Sequence, residues 1–219
     1  MVERLSVVQA WELVQMNESM IVDLRDPSEF ANGHAQGALN LPYSEKGLED
    51  RLSVLLQPGS PIVLFVESPW QAEGAVLQLH GGTFPLLGVL EARMKEWHDG
   101  GFPMEILIEV PVQHLAGTAF GKDKVIVDVR EPIEWEMGHI PGALLISLGA
   151  LRKQLHELPR GVGIILICEA GVRSSSAASI LQAEGFAEVA HVPECTAGYR
   201  RAGLPLQFLK GHNYDGKVS

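Results

Sequence analysis

Cysteine is scarce in this chain: only Cys168 and Cys195 occur among its 219 residues. Two cysteines exclude a scaffold of several disulfides, and they exclude a zinc site built from four thiolates. In a reducing compartment, each thiol is expected to stay free unless it takes part in redox chemistry. The chain also lacks any apolar run that approaches about 20 residues, the length that a membrane-spanning helix needs.

Positive charge is also in short supply. The 17 lysines and arginines are outnumbered by 27 aspartates and glutamates, so the formal net charge is −10. An acidic surface repels phosphate groups, and we therefore expect neither nucleic acid nor a membrane as the main partner. The first residues mix charges into a helical pattern without the apolar core of a signal peptide, which predicts a cytoplasmic protein. Hydrophobic residues make up 46% of the chain, a share typical of globular proteins.

The chain contains an internal repeat. The segment IVDLRDPSEFANGHAQGALN begins at Ile21, and IVDVREPIEWEMGHIPGALL begins at Ile126, an offset of 105 residues (126 − 21). Identical residues pair at this offset, among them Asp23 with Asp128, Arg25 with Arg130, and His34 with His139. Solenoid repeats are shorter, about 20 to 50 residues, so two long copies indicate a duplicated domain.

Each half alternates strand patterns with helix patterns. In the second half, KVIVDV and GIILIC are short β-branched runs typical of strands buried on both faces, and helical spacing covers 148–158 and 174–184. The alternation predicts an α/β fold with two domains, each a small parallel sheet flanked by helices on both faces. We predict domains at 1–104 and 105–208, followed by a polar tail at 209–219.

Cys168 ends the predicted strand GIILIC, and a turn containing Gly171 leads from it into a serine-rich helix predicted to begin near Ser174. Ligands of open parallel sheets bind at the carboxyl ends of strands. Backbone N–H groups and the helix dipole stabilise a thiolate there, and Arg173 adds a positive charge. A cysteine at a strand end can also be a small buried hydrophobic residue. The glycine, the arginine and the serine-rich helix start together favour a nucleophile.

These motifs resemble the rhodanese family of sulfurtransferases. The resemblance rests on Asp-Val-Arg-Glu at 128–131, Gly-His-Ile-Pro-Gly-Ala at 138–143, Cys-x-x-Gly-x-Arg-Ser at 168–174 and Gly-Leu-Pro at 203–205. It implies an enzyme similar to thiosulfate sulfurtransferases, in which Cys168 takes a sulfane sulfur from a small donor and becomes a persulfide. The sulfur then passes to a thiol or a cyanide-like acceptor. A protein that exchanges persulfide sulfur with this chain is a further possible partner.

The resemblance also implies a set of site residues. The loop amides and the Arg173 side chain would cradle the sulfur, within a substrate-binding set of Glu169, Ala170, Gly171, Val172, Arg173 and Ser174. Asp128 and Arg130 match family positions at the end of the first buried strand, where they would support the loop rather than react. We expect no cofactor, and no metal site either, because the six histidines other than His34 and His139 are scattered without ligand spacing.

Two other functions stay open at this point. Related phosphatases use a Cys-x5-Arg loop, whereas Cys168 and Arg173 form the shorter Cys-x4-Arg, which disfavours a cysteine phosphatase or an arsenate reductase. The second alternative is a regulatory or carrier module that holds persulfide sulfur for a protein partner. Turnover with small donors would separate that module from an enzyme.

The first half keeps the repeat but lacks the chemistry. Val66 aligns with Cys168, and the loop after the strand PIVLFV is two residues shorter, with no cysteine or arginine. We interpret this half as a non-catalytic domain that packs against the active one. It either forms one wall of the substrate cleft or serves as a scaffold. Trp70 is predicted to fill the space of the missing loop.

The roles of Cys195, of Glu169 and of the two turn histidines each have two interpretations. Cys195 lies where rhodanese sequences usually show Gly-Gly, and it is either a packed thiol or a resolving cysteine that attacks the Cys168 persulfide. Glu169 replaces a basic residue common in thiosulfate-using relatives, and it either repels a dianionic donor or points to solvent. His34 and His139 occupy the same turn of both halves, which favours a structural role over catalysis.

Overall fold

The computed structural model describes residues 2–16, 18–115 and 123–208 of the chain. The polar tail predicted at 209–219 lies outside these residues. Within the described ranges, no helix has both the length and the apolar character that crossing a bilayer requires.

The first half of the chain is built around one parallel sheet. In chain order it contains α1 Val7–Gln15, β1 Met20–Asp23, α2 Pro27–Asn32, β2 His34–Ala35, β3 Leu39–Asn40, α3 Leu48–Leu55, β4 Ile62–Val66, α4 Pro69–Leu79, β5 Leu86–Glu91, α5 Met94–Asp99 and β6 Met104–Glu105. Four of these strands pair in parallel in the order β3-β1-β4-β5. Every residue of β4 is buried, as expected for a central strand that is covered on both faces.

The second half repeats this plan. It contains β7 Ile108–Glu109, a 3₁₀ turn at Val112–Leu115, β8 Lys124–Asp128, α6 Pro132–Glu136, β9 Leu144–Leu145, α7 Leu148–Gln154, a 3₁₀ turn at Leu155–Glu157, β10 Gly163–Ile167, α8 Val172–Ala183, β11 Val189–His191 and α9 Cys195–Arg201. Its five strands pair in parallel in the order β7-β11-β10-β8-β9. The predicted α/β fold with two parallel sheets flanked by helices is therefore confirmed.

The chain passes from the first half to the second within a few residues, after a separate two-stranded sheet of β2 and β6. The short strand β6, which includes Glu105, pairs antiparallel with β2 of the first half. The next strand, β7, starts at Ile108 and pairs with β11 of the second half. The crossing therefore falls between Glu105 and Ile108.

Helix α8 also packs against strand β3 of the first half. At this contact, the Asn40 backbone N–H donates to the Ser179 hydroxyl at 3.0 Å, and the Ser175 hydroxyl donates to Asn40 Oδ1 at 2.6 Å. All three residues are buried. Because α8 directly follows the loop of Cys168, residues of both halves hold the helix that carries the candidate site.

The two turn histidines have matching surroundings. His34 Nδ1 lies 2.8 Å from the Phe30 carbonyl oxygen, and its ring stacks on Phe30 at 3.7 Å. His139 Nδ1 lies 3.2 Å from the Trp135 carbonyl oxygen, and its ring stacks on Trp135 at 3.7 Å. These contacts fix each turn to the preceding helix and support the structural interpretation of both histidines.

Candidate active site

Cys168 lies directly after β10, at the carboxyl end of a central strand. Helix α8 begins at Val172, two residues earlier than predicted, so residues 168–171 form the connecting loop and Arg173 belongs to the first helical turn. Gly171 precedes the helix with a φ of 92°, and a Cβ at this position would lie 2.6 Å from the Pro193 carbonyl oxygen. Only glycine fits this close, left-handed turn, which brings the loop amides back toward the thiol.

The Cys168 thiol lies buried in a set of hydrogen-bond donors. The Gly171 backbone N–H donates to its sulfur at 3.2 Å, and the sulfur of Cys195 lies 3.6 Å away. The hydrogen bond from Cys195, helped by hydrogen bonds from Ser174 and the Ala170 amide, lowers the pKa of the Cys168 thiol to about 6 against the effect of burial. At neutral pH the thiolate therefore predominates, and the thiolate is the nucleophilic form.

Cys195 is held against this thiol by four contacts. Its sulfur accepts from the Cys168 backbone N–H at 3.1 Å, and it lies 2.7 Å from the Val192 carbonyl oxygen, 3.4 Å from the Ser174 hydroxyl and 3.6 Å from the Cys168 sulfur. The Val192 carbonyl and the Cys168 sulfur therefore compete for the single proton of this thiol. Among the non-glycine residues that the structure describes, only Cys195 has a positive φ, of 48°. Burial, with the hydrogen bond and negative charge of Cys168, raises the pKa of the Cys195 thiol, which stays protonated and acts as a donor.

A line of polar side chains leads away from Cys195. The Ser174 hydroxyl lies 3.3 Å from His191 Nδ1, and His191 Nε2 lies 3.4 Å from the Glu109 carboxylate. The Nε2 contact lacks the geometry of a hydrogen bond, since this buried nitrogen has no hydrogen-bond partner among the described residues. Burial lowers the pKa of His191 to about 4, so the ring is neutral at neutral pH. The sequence did not indicate this line, because Glu109 and Ser174 lie far in the chain from His191 and Cys195.

Asp128 and Arg130 lie at the end of β8, next to the strand that carries Cys168. The Arg130 guanidinium binds both carboxylate oxygens of Asp128 at 2.8 to 3.0 Å, and it donates to the Gly138 carbonyl at 3.0 Å. Asp23 and Arg25 make the same contacts in the first half, where no cysteine is present. The same aspartate–arginine pair occurs in the half with the thiol and in the half without it. This supports the interpretation that the pair fixes the backbone and does not react.

The Arg173 side chain turns toward helix α6. It donates two hydrogen bonds to Glu134, at 2.6 and 2.7 Å, and this contact lowers the pKa of the Glu134 carboxyl to about 2. The hydrogen bonds to Glu134 are the main cause of a raised Arg173 pKa, and the negative charge of Cys168 contributes. Among the described residues, the side-chain hydrogen bonds of Arg173 therefore go to Glu134 and none goes to the Cys168 sulfur.

Glu169 is not an isolated negative charge at the mouth of the loop. One carboxylate oxygen contacts the Arg200 guanidinium, and the other lies 3.8 Å from Arg130 Nη1. The Glu169 side chain is 37% exposed, so it is reachable from solvent while it is paired. The charge of Glu169 is therefore paired with Arg200 and lies near Arg130.

The first half has a shortened connection at the equivalent position. Strand β4 ends at Val66 and α4 begins at Pro69, which leaves two residues between them, whereas four residues separate β10 and α8. This difference matches the two-residue deficit read from the sequence. The prediction that Trp70 fills the vacated space is wrong: its side chain is 60% exposed and packs edge-on against Tyr43. Trp70 falls in the first turn of α4, which turns the ring outward.

A cavity of about 350 Å³ lies between the two halves, beside the first turn of α8. Its walls include Leu41, Arg51 and Leu55 from the first half and Val172, Arg173 and Ser176 from the second. Arg51 Nη1 is buried there without a hydrogen-bond partner among the described residues. The first half thus forms one wall of a cleft that borders Arg173.

Fold and site together define a class of protein: a duplicated α/β protein with one activated thiol on a strand-to-helix loop. The sequence profile of the family described as "Rhodanese-like domain" matches residues 6–99 and 113–200. The two matches cover most of the chain, one in each half. The chain belongs to this family, as a protein with two rhodanese domains in tandem.

Similar proteins cover the chain to different extents. A protein of Allochromatium vinosum named "Sulfurtransferase" is 31% identical over 107 residues, which are 49% of this chain and 97% of that protein. The "Putative sulfur carrier protein YrkF" of Bacillus subtilis is 43% identical over 67 residues, which are 31% of this chain and 36% of that protein.

Among solved structures, a thiosulfate sulfurtransferase from Pseudomonas aeruginosa aligns with 91% of this chain and 42% of its own, at 21% identity and a TM-score of 0.38. This chain therefore spans nearly all of the Allochromatium protein, but well under two thirds of YrkF and of the Pseudomonas enzyme.

Proposed function

We propose that this protein is a sulfurtransferase in which Cys168 takes a sulfane sulfur from a small donor and carries it as a persulfide to a nucleophilic acceptor. The observation that carries the proposal is the Cys168 thiol itself, whose sulfur receives hydrogen bonds from Gly171 and Cys195 and whose pKa is lowered. The relative named sulfurtransferase supports the same activity.

The chemistry follows from the position of the thiolate. Cys168 attacks the outer sulfur of the donor, the donor's bond to that sulfur breaks, and the leaving group departs with the electron pair. The transferred sulfur then carries negative charge, which the Gly171 amide and the positive end of α8 stabilise. An acceptor attacks this sulfur and Cys168 leaves as a thiolate. A low thiol pKa assists both steps, because it supplies thiolate and improves the leaving group.

The remaining residues have supporting roles in this proposal. Residues 169–174 form the sulfur-binding loop, in which backbone N–H groups bind the sulfur and Arg173 contributes charge. Asp128 and Arg130 fix the backbone beside the loop. The domain at 1–104 is non-catalytic and supplies one wall of the cleft, and the domain at 105–208 carries the site. A reducing compartment such as the cytoplasm suits this chemistry, because Cys168 must stay a free thiol.

A carrier for a protein partner is the second candidate, supported by the similarity to the sulfur carrier YrkF. A carrier would load sulfur on Cys168 just as the enzyme does. It would turn over slowly with small acceptors, since its proper acceptor is a protein thiol. The rate of transfer from thiosulfate or mercaptopyruvate to cyanide therefore distinguishes the two candidates.

The test of the proposed function is sulfur transfer to cyanide by wild type and Cys168→Ser. We expect the rate constant of the variant to fall by about a thousandfold or more, because a hydroxyl cannot form the persulfide. A matched control moves the thiol to the first domain in the double variant Cys168→Ser, Val66→Cys. This variant should stay inactive, because the shorter loop after Val66 has no arginine. Wild-type turnover in Cys168→Ser would overturn the proposal.

A further inference from the structure

We propose that Cys195 resolves the Cys168 persulfide, so that the protein releases the carried sulfur as sulfide and is left with a Cys168–Cys195 disulfide. The inference rests on the proposed persulfide at Cys168. It adds an activity, dithiol-dependent sulfide release, that transfer to an external acceptor does not require.

The two sulfurs are already neighbours although the residues are 27 positions apart. Their separation is 3.6 Å, and a disulfide needs an S–S distance of about 2.0 Å, so an approach of about 1.5 Å is sufficient. The Cys168 backbone N–H donates to the Cys195 sulfur at 3.1 Å, which holds this thiol at the base of the loop. The chain has no third cysteine that could compete.

The backbone of Cys195 also points to a function for its side chain. Its φ of 48° lies in the left-handed region, which glycine adopts freely and other residues rarely adopt. Strained residues of this kind persist where their surroundings hold them, and they concentrate at functional sites. Here the strained conformation places a thiol against the nucleophile, where a glycine would fit the backbone more easily.

Formation of the persulfide changes the electrostatics of Cys195. In the resting protein, burial, the hydrogen bond with the Cys168 sulfur and the negative charge of Cys168 all raise the pKa of the Cys195 thiol. Once Cys168 carries the extra sulfur, the negative charge moves from its Sγ atom to the outer sulfur. The two contributions from Cys168 then weaken, and Cys195 loses its proton more easily.

The departing sulfur is the base that takes up the proton of Cys195. The Ser174 hydroxyl lies 3.4 Å from the Cys195 sulfur, but it donates to the Gly171 carbonyl at 3.0 Å. Burial lowers the pKa of His191 to about 4, so its ring stays neutral at neutral pH and does not accept the proton. The outer sulfur gains basicity as its bond to Cys168 breaks, and the proton passes directly to it.

The reaction balances within the protein and the carried sulfur. The Cys195 thiolate attacks Sγ of Cys168 and forms the new S–S bond. The bond between this Sγ and the outer sulfur breaks, and the outer sulfur leaves as hydrosulfide with the electron pair and takes up the proton that Cys195 lost. The sulfane sulfur is thereby reduced to sulfide, and the two cysteines are oxidised to a disulfide. An external dithiol then reduces the disulfide and restores both thiols.

The test compares one round of loading in wild type and in Cys195→Ser. Each fully reduced protein is mixed with thiosulfate or mercaptopyruvate without reductant, the excess donor is removed, and intact mass and free sulfide are measured. Wild type should release one sulfide for each chain and lose the mass of two hydrogen atoms, with Cys168 and Cys195 linked in one digest fragment. Cys195→Ser should gain the mass of one sulfur atom and release no sulfide.

A second variant keeps the test decisive if serine is not tolerated. Cys195→Gly relieves the left-handed backbone and removes the thiol, and it should also retain the sulfur. A wild-type chain that keeps its extra sulfur and releases no sulfide would overturn the resolving role while leaving the persulfide on Cys168 intact. If wild type neither gains sulfur nor releases sulfide with either donor, the proposed function itself fails.

Discussion

Arg173 donates two hydrogen bonds to the Glu134 carboxylate, at 2.6 and 2.7 Å, and thereby joins the first turn of α8 to α6. Glu134 is fixed in turn, because it accepts a hydrogen bond from the Glu131 backbone N–H at 3.0 Å. The guanidinium is therefore held in one place beside the loop of Cys168. We propose that it acts on the thiolate as a fixed positive charge, which the carboxylate partner weakens.

The first prediction concerns this pair. Arg173→Ala should raise the pKa of Cys168 by up to about one unit, because a nearby positive charge favours the thiolate. Glu134→Gln should leave the pKa unchanged or lower it, since Arg173 then loses its negative partner. The measurement is the rate of Cys168 alkylation against pH. An alkylation profile that is the same in wild type and Arg173→Ala would remove Arg173 from the mechanism.

The second prediction concerns the Cys195 hydrogen bond, which is the largest cause of the lowered Cys168 pKa. In Cys195→Ser the hydroxyl still donates, so thiolate should form with a midpoint well below the ordinary value of about 8.5. In Cys195→Ala the donor is lost and the midpoint should rise toward that ordinary value.

Each of these variants has Cys168 as its one cysteine, so ultraviolet absorbance of the thiolate reports this residue alone. As pH rises, the absorbance should appear first in Cys195→Ser and later in Cys195→Ala. Coinciding titrations would mean that the thiol of Cys195 does not donate to Cys168.

The third prediction concerns the donor. Because Arg200 and Arg130 offset the charge of Glu169, Arg200→Ala should expose that charge and lower kcat/KM for thiosulfate by about three- to tenfold at low salt. Adding Glu169→Gln to this variant should restore most of the loss, and high salt should reduce the difference. Equal values for wild type and Arg200→Ala at both salt concentrations would show that Glu169 does not face the donor.

The fourth prediction concerns the contact between the domains. Ser175→Ala leaves the buried Asn40 Oδ1 without its donor and keeps the hydrogen bonds of Asn40 within the first half, and the free energy of unfolding should fall by about 1–3 kcal/mol. Gln36→Ala is a suitable control, because the Gln36 side chain makes only an exposed contact with Glu105, and its effect should stay within about 0.5 kcal/mol. Urea unfolding measures both changes. Equal stability of the two variants would mean that this contact does not join the domains.

The fold and the thiol could be predicted because their signals are local or repeated. Burial on both faces produces the β-branched runs before Asp23 and Asp128, and duplication presents each signal twice. Cys168 was recognisable because a strand end, a glycine and a helix start lie within a few residues of each other. The shortened loop after Val66 followed from counting residues in the two copies.

The partners of the site residues could not be predicted, because they lie far away in the sequence. Arg200 reaches Glu169 across 31 residues, and Arg173 reaches Glu134 across 39, whereas contact between Cys195 and Cys168 was one of the two interpretations that the sequence allowed. Such pairs are set by how α6 and α9 pack beside the loop and α8, and no periodicity or motif encodes that packing. The prediction for Trp70 was wrong for a related reason. The direction of its side chain depends on where α4 begins, and the short connection after Val66 shifts that start.

The central claim, that Cys168 carries the transferred sulfur, is tested most directly by a chase experiment with labelled sulfur. Cys195→Ser is loaded with thiosulfate labelled in its outer sulfur, separated from the donor, and mixed with cyanide. We predict one labelled sulfur for each chain, located on the Cys168 fragment and released as thiocyanate at least as fast as steady-state turnover. Three results would contradict the account. The label is absent from the Cys168 fragment, it also appears on Cys168→Ser, or it is released as thiocyanate more slowly than steady-state turnover.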